Sequence, residues 1–396
     1  MRPLRIAVRK FDPFEAAIRR QFDDFARTVG GAPQLEIEAL ELNELHARLL
    51  AQPSLRDGSI DLAFLCTDWL AEAHAAGAIE NLRPYQMRAP ISDFPHAWSP
   101  SLVTLQDFAG GFWGMPYHDG PQCLIYRKDL LEAADLEVPR TWEQFHTVAR
   151  ALHDPARGLS GTVLALFPDG HNGFYDFCIQ VWSRGGEPFG PGARPQLCSA
   201  PAEAALEFMR HLAGDSAAIV PGARALDSVK SGLLFCAGRV ALMANWFGFA
   251  ALAQRWEGSA VRDRVAIAPL PQGLGGRSVS LNVFWVIALA AGSTQKSLAW
   301  AFLRHLATAP MDKLTTLEGA IGVRRSTWAD AQVNQMIPFY HQLEGLHEHA
   351  RELPLHPRLA EASHVIDELL ARALDTEESS RSLLNETQRR LEEILQ

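Results

Sequence analysis

Long apolar stretches are missing from this chain of 396 residues. None reaches the roughly 18–20 residues a membrane-spanning helix needs, and the longest candidate, around Val283–Ala291, has the length of a strand. Positive charge is also short. A formal net charge of −9 argues against a nucleic-acid partner, which needs a positive field to displace counterions. Cys66, Cys123, Cys178, Cys198 and Cys236 are odd in number and widely spread, with no CxxC, so neither a zinc site nor a disulfide framework is expected. All but Cys123 lie in apolar surroundings and read as small buried hydrophobes.

The chain also lacks GxSxG, HExxH, a Walker-type phosphate loop and GxGxxG. Its carboxylates are scattered rather than paired, which leaves a glycosidase without an acid/base couple. His347 and His349 stand two apart, and a helix would point them in different directions, so they read as a solvated face rather than metal ligands. No metal and no cofactor are expected. The first residues, MRPLRIAVRKF, contain only Ile6–Val8 as an apolar run and no signal-peptide pattern. Either a mature end or a cytoplasmic protein fits that start.

What is present is an alternation of short apolar runs with amphipathic helices, in a chain long enough for two lobes of roughly 150–200 residues. That alternation predicts an α/β fold with mostly parallel strands. Leu4–Val8 reads as a first strand. In the helix after it, Phe14, Ile18, Phe22 and Phe25 recur at helical spacing until Gly30, Gly31 and Pro33 end it. Gln34–Leu40 and Ile60–Cys66 read as further strands, separated by a helix over Glu44–Leu50. Thr67 or Asp68 is expected to cap the next helix, which stops at Gly77. Thr141 and Gln144 form a capping-box pair ahead of the stripe Trp142, Phe145, Val148 and Leu152. Val265–Pro269 and Leu281–Ala290 read as strands covered on both faces, and the chain from Leu359 onward as helical.

An aromatic beside a polar group recurs just after apolar strands. Lys10, Phe11 and Asp12 follow the first strand; Asp68 and Trp69 follow the third; Asn245 and Trp246 follow the run ending at Ala244. Tyr117, His118 and Asp119 form another such cluster, and Tyr175 with Asp176 a further one. Ligands of open α/β sheets bind outside the carboxyl ends of the strands. Flat rings beside carboxylates and amides suit a molecule with C–H faces and hydroxyl edges, of which a sugar is the simplest. Trp69 and Phe11 fit a core position as well as a site; Trp246 and Tyr175 fit the site better.

These residues lie in blocks that resemble a known family. Ile60–Phe64 with Gly77–Leu82, the run Gly114-Met115-Pro116-Tyr117 with Leu124–Leu130 and Pro139–Trp142, Gly238–Met243, and Ala268–Pro271 followed by Gly275-Gly276 occur in the family's order. The chain resembles the periplasmic solute-binding proteins of bacterial ABC transporters, in the group that includes the maltose-binding type. The resemblance implies a two-lobe binding-protein fold closing on one ligand as a hinge. It implies a first lobe of residues 1–117 and 266–317, and a second of 118–265 with a C-terminal helical segment, 318–396. It also implies a periplasmic monomer that delivers a small polar solute, a sugar or sugar derivative, to membrane permease subunits. The candidate ligand contacts are Lys10, Phe11, Asp68, Trp69, Tyr117, His118, Asp119, Tyr175, Asn245, Trp246 and Asn282, of which the resemblance implies Asp68, Tyr117, His118, Asp119, Tyr175 and Trp246. Gly322 stands where relatives often carry proline.

Two further readings stay open. Thiamin-degrading transferases look similar and place a nucleophilic cysteine in the cleft, and Cys123 would be that residue here, beside His118 and Asp119. A sensor that signals through its closed form, without transport, is the other.

Overall fold

A computed structural model describes residues 2–30 and 33–396. Gly31, one of the expected terminators of the first helix, lies outside the described residues. The chain forms two compact units, Met1–Gly120 with Val283–Glu344 and Pro121–Asn282 with Gly345–Gln396. The strands that carry the argument are β1 (Leu4–Arg9), β2 (Leu35–Leu40), β3 (Leu62–Cys66), β4 (Met115–His118), β5 (Gln122–Arg127), β6 (Leu242–Trp246), β7 (Val265–Ala268) and β8 (Trp285–Leu289). The helices are α1 (Asp12–Thr28), α2 (Trp142–Leu152), α3 (Asn172–Trp182), α4 (Lys296–Leu306), α5 (Ala309–Leu317), α6 (Leu359–Asp375) and α7 (Ser380–Ile394).

The first unit is built on a five-stranded sheet in the order β2-β1-β3-β8-β4. β1 runs parallel to both neighbours, while β8 runs antiparallel to β3 and β4. Every residue of β3 is buried, as a strand covered on both faces requires. α1 buries Phe14, Ile18, Phe22 and Phe25 as its spacing predicts, and Phe22 and Phe25 meet Phe302 of α4 at 5.1 and 5.3 Å between ring centroids. Each such ring adds about 1.5–3 kcal/mol of burial.

The second unit holds a three-stranded sheet in the order β6-β5-β7, antiparallel throughout. The first sheet is therefore mixed and the second antiparallel, and neither is mostly parallel. A run of apolar residues signals burial on both faces and says nothing of strand direction. The expected return to the first lobe at residue 266 moves to 283, because β7 pairs with β5 and stays in the second sheet. Residues 318–344 likewise belong to the first unit.

Local signals explain much of the rest. The Gln144 amide N–H donates to Thr141 Oγ1 at 3.2 Å, and the Thr141 N–H donates back to Gln144 Oε1 at 3.2 Å, completing the capping box of α2. The residues after β3 depart from expectation. Thr67–Trp69 form a 3-10 turn, and the helix Leu70–Ala75 has no side-chain cap. Thr67 Oγ1 instead accepts the Phe284 N–H at 3.3 Å. Among the described residues no helix is long and apolar enough to cross a membrane.

Candidate solute-binding site

In the first unit the residues singled out by sequence gather where β1, β3 and β4 end and β8 begins. Trp285 opens β8, with its backbone opposite Cys66 and His118 in the two neighbouring strands. Its indole meets Trp69 edge-to-face at 5.8 Å, and Trp69 in turn meets His46 at 5.0 Å. Trp69 is buried, so most of its surface is spent on this packing. Asp68 is half-buried on the short turn beside it. Phe11, half-buried, caps α1 and leans on Phe14 at 5.1 Å. Lys10 points to solvent and pairs with Glu41 at 3.4 Å, a carboxylate that Arg9 also engages at 2.5 Å.

Tyr117 is placed differently from its two neighbours. It is buried among Phe14 and Phe64, and its hydroxyl donates to Gln21 Oε1 at 2.9 Å. Gln21 Nε2 spends its own protons on Met311 O and Thr315 Oγ1, both at 2.8 Å. This is a closed polar network inside the first unit, and burial pushes the Tyr117 phenol up. His118 is half-buried at the end of β4, its ring 4.8 Å from Phe14 and edge-on to it. Asp119 is buried, and its N–H donates to Ile321 O at 3.2 Å.

In the second unit the site residues hang on the start of α3 and the end of β6. Asp169 ties the turn that leads into α3: its Oδ1 accepts the His171 and Asn172 N–H groups at 3.0 and 3.2 Å, and its Oδ2 accepts Asn172 Nδ2 at 3.0 Å. The Gly170 N–H donates to Asp367 Oδ2, on α6, at 2.8 Å. Gly170 adopts φ +75°, a conformation that costs glycine little. This turn presents His171, which stacks on Tyr175 at 5.0 Å and 20° between planes. Tyr175 meets Trp246 edge-to-face at 5.9 Å, and Trp246 Nε1 donates to Asn172 Oδ1 at 3.3 Å. Trp246 is half-buried, so its indole is oriented by two contacts and still keeps exposed surface.

Two predicted residues of this unit serve the scaffold. Asn245 is buried, with Nδ2 donating to Ser228 O at 3.1 Å and Oδ1 accepting the Trp246 N–H at 2.8 Å. Asn282 is buried, donating its amide N–H to Arg351 O at 2.7 Å and Nδ2 to Glu352 Oε1 at 3.4 Å. Cys123 lies fully buried in β5, and burial pushes its thiol up, away from the thiolate a nucleophile requires. Asp176, one residue after Tyr175, accepts Gln122 Nε2 at 3.1 Å; burial pushes its carboxyl up to about 7 against that hydrogen bond.

The sequence reading missed Trp285, His171 and Asn172. Trp285 was absorbed into the apolar run Leu281–Ala290, although a tryptophan at the start of a strand is the same ring-at-strand-end signal found elsewhere in the chain. His171 and Asn172 precede Tyr175 by one helical turn, which is the spacing that places side chains on one face.

Strand ends furnished with oriented rings, amides and carboxylates carry groups able to hold a polar solute. Residues 13–313 match the family model described as bacterial extracellular solute-binding protein. The chain belongs to that family. This solute-binding protein is 25% identical over 250 residues to a probable ABC transporter-binding protein of Deinococcus radiodurans, covering 62% of this chain and 59% of that one. It is 25% identical over 343 residues to a mannitol-binding protein of Pseudomonas aeruginosa, covering 82% of this chain and 74% of that one. Among solved structures, maltose-bound MalE3 of T. maritima matches with a TM-score of 0.90 at 23% identity, over 99% of both chains. A solute-binding protein of Agrobacterium radiobacter in complex with ribitol matches with a TM-score of 0.89 at 23% identity, over 99% of this chain and 98% of that one. The fold is thus the two-lobe α/β fold of solute-binding proteins, and this chain spans about three fifths of the Deinococcus relative's length.

Proposed function

We propose that this solute-binding protein captures a small, neutral, polyhydroxylated solute, a hexitol such as D-mannitol or a sugar of similar size, and delivers it to permease subunits outside the cytoplasm. The observation that carries the reading is the Trp246 indole, held at the end of β6 by Tyr175 and Asn172 with part of its surface exposed. A flat apolar ring beside amide and imidazole groups complements C–H faces and hydroxyl edges. The mannitol-binding relative, matched over most of both chains, supports the same class.

The role is capture and release, with no covalent step. The sealed Cys123 supports this over a thiol-based transferase. The test is a thermal-shift screen with D-mannitol, ribitol, maltose and D-gluconate, followed by calorimetry on any hit. A solute that binds only the folded state stabilises it by about 2.7 kcal/mol at a hundredfold excess over Kd. The expected result is a raised melting temperature with a neutral polyol or sugar and none with gluconate. A shift with gluconate alone would overturn the reading.

A further inference from the structure

His118 carries information that its position alone does not give. Its Nδ1 accepts a hydrogen bond from the Ile321 backbone N–H at 2.8 Å. A backbone amide can only donate, so Nδ1 must present a bare lone pair and the ring's single proton sits on Nε2. Nε2 makes no hydrogen bond among the described residues.

The Ile321 amide is itself held by a buried network. The Ile321 carbonyl accepts the Asp119 N–H at 3.2 Å. The next amide, Gly322, donates to Thr316 Oγ1 at 3.0 Å and to Tyr340 Oη at 2.9 Å, which a proline at that position could not do. Asp312 accepts the Val323 and Arg324 N–H groups at 2.8 and 3.1 Å and the Thr327 hydroxyl at 2.5 Å. A Cβ at position 322 would stand 2.7 Å from Asp312 Oδ2 and 2.9 Å from Thr316 Oγ1, so the close packing itself calls for glycine.

We propose that His118 is a ligand-reading donor of fixed tautomer, its Nε2–H offered to an acceptor oxygen of the solute, with segment 320–324 as the positioning element that sets it. The ligand half of this proposal rests on the polyol reading above; the tautomer half does not. A hydroxyl or ring oxygen satisfies such a donor, whereas an ammonium group, which can only donate, leaves it unpaired. The groups around the ring are Asp119, the residue after its own strand, Phe14 from α1 and the Ile321 amide, with the Trp285 backbone paired beside it from β8. Of these only Asp119 carries charge and favours the imidazolium. Burial outweighs it and lowers the imidazole to about 4, so the neutral ring persists across pH 5–8.

The test uses the full chain labelled with 15N-histidine, with His118 assigned among the 14 histidines by difference from His118→Gln. Long-range proton–nitrogen spectra should show a pyridine-type Nδ1 and a pyrrole-type Nε2, unchanged from pH 5 to 8. The reverse pattern, or an imidazolium at pH 7, overturns the tautomer whatever the solute is. In Gly322→Ala the single tautomer should give way to a mixture, a change that general destabilisation would not cause; a retained tautomer removes the positioning role from the segment. Calorimetry with D-mannitol then tests the donor. His118→Gln, whose amide nitrogen can reach the place of Nε2, should stay within about tenfold of wild type, while His118→Phe should lose at least about thirtyfold. Equal affinity of His118→Phe and wild type overturns the donor role. A wild type with the expected tautomer that binds none of the screened carbohydrates overturns the polyol reading and the ligand half with it.

Discussion

Tyr117 offers the sharpest separation of scaffold from binding surface, because the two roles predict opposite results. Its hydroxyl donates to Gln21 Oε1 at 2.9 Å inside the first unit, and Gln21 anchors Met311 O and Thr315 Oγ1 at 2.8 Å each. Tyr117→Phe removes one hydrogen bond and leaves a buried amide oxygen without its donor. A net bond of about 1 kcal/mol, with part of the desolvation cost of an orphaned acceptor, gives a loss of about 1–2 kcal/mol. Gln21→Leu removes all three bonds and strands the phenol, for about 2–4 kcal/mol. In the double variant neither partner is left orphaned, so the losses should fall short of additive by about 1–2 kcal/mol. Urea unfolding of the four proteins measures the cycle. Calorimetry on Tyr117→Phe should show solute affinity within about twofold of wild type. Additive losses, or a tenfold drop in affinity with stability intact, would refute the scaffold role and return Tyr117 to the ligand surface.

Other perturbations probe different parts of the molecule. Trp246→Ala should weaken solute binding by about 1–3 kcal/mol in calorimetry, the usual cost of losing an oriented aromatic contact; unchanged affinity would remove Trp246 from the site. Gly322→Ala should cost about 1–3 kcal/mol in urea unfolding, because its Cβ collides with Asp312 and Thr316; a neutral effect would mean the segment yields easily. Asp176 is raised from 3.8 to about 7 on folding, so the stability it contributes is full below about pH 4 and lost as pH rises through 7. Asp176→Asn should therefore gain stability relative to wild type at pH 8 but not at pH 4, by about 1–3 kcal/mol once solvent relaxation is allowed for. A brief thiol-labelling pulse on the native protein should give one fast adduct at Cys198, which is exposed while Cys66, Cys123, Cys178 and Cys236 are buried, and a fast adduct at Cys123 would reopen thiol chemistry.

How far the fold and the site could be read from sequence depended on the kind of signal. The stripe of α1 and the capping box of α2 were legible because both are local, set by residues three or four apart. Strand direction was not, since the burial that makes β3 and β8 uniformly apolar is the same for either direction. The run Leu281–Ala290 reads as one strand but serves two sheets: Ser280–Leu281 pair with Ala350–Arg351, and Trp285–Leu289 join the first sheet. No local pattern announces a partner that far along the chain. At the candidate site, ring-plus-polar clusters pointed to strand ends but did not say which atoms would be consumed internally. Tyr117 and Asn245 look like Trp246 and His118 in sequence, and only the positions of Gln21 and Ser228 separate them. Gly322 was legible as a departure from proline, and its reason became visible only with Thr316 and Tyr340 around its amide.

The Asp367–Gly170 bond has a consequence for synthesis. The turn that carries His171 and Tyr175 is braced by a carboxylate from α6, encoded almost 200 residues later. A nascent chain halted between Trp182 and Leu359 would hold the aromatic helix but not its brace. Ribosome-bound intermediates would therefore emerge with the turn before α3 unbraced until α6 had cleared the exit tunnel.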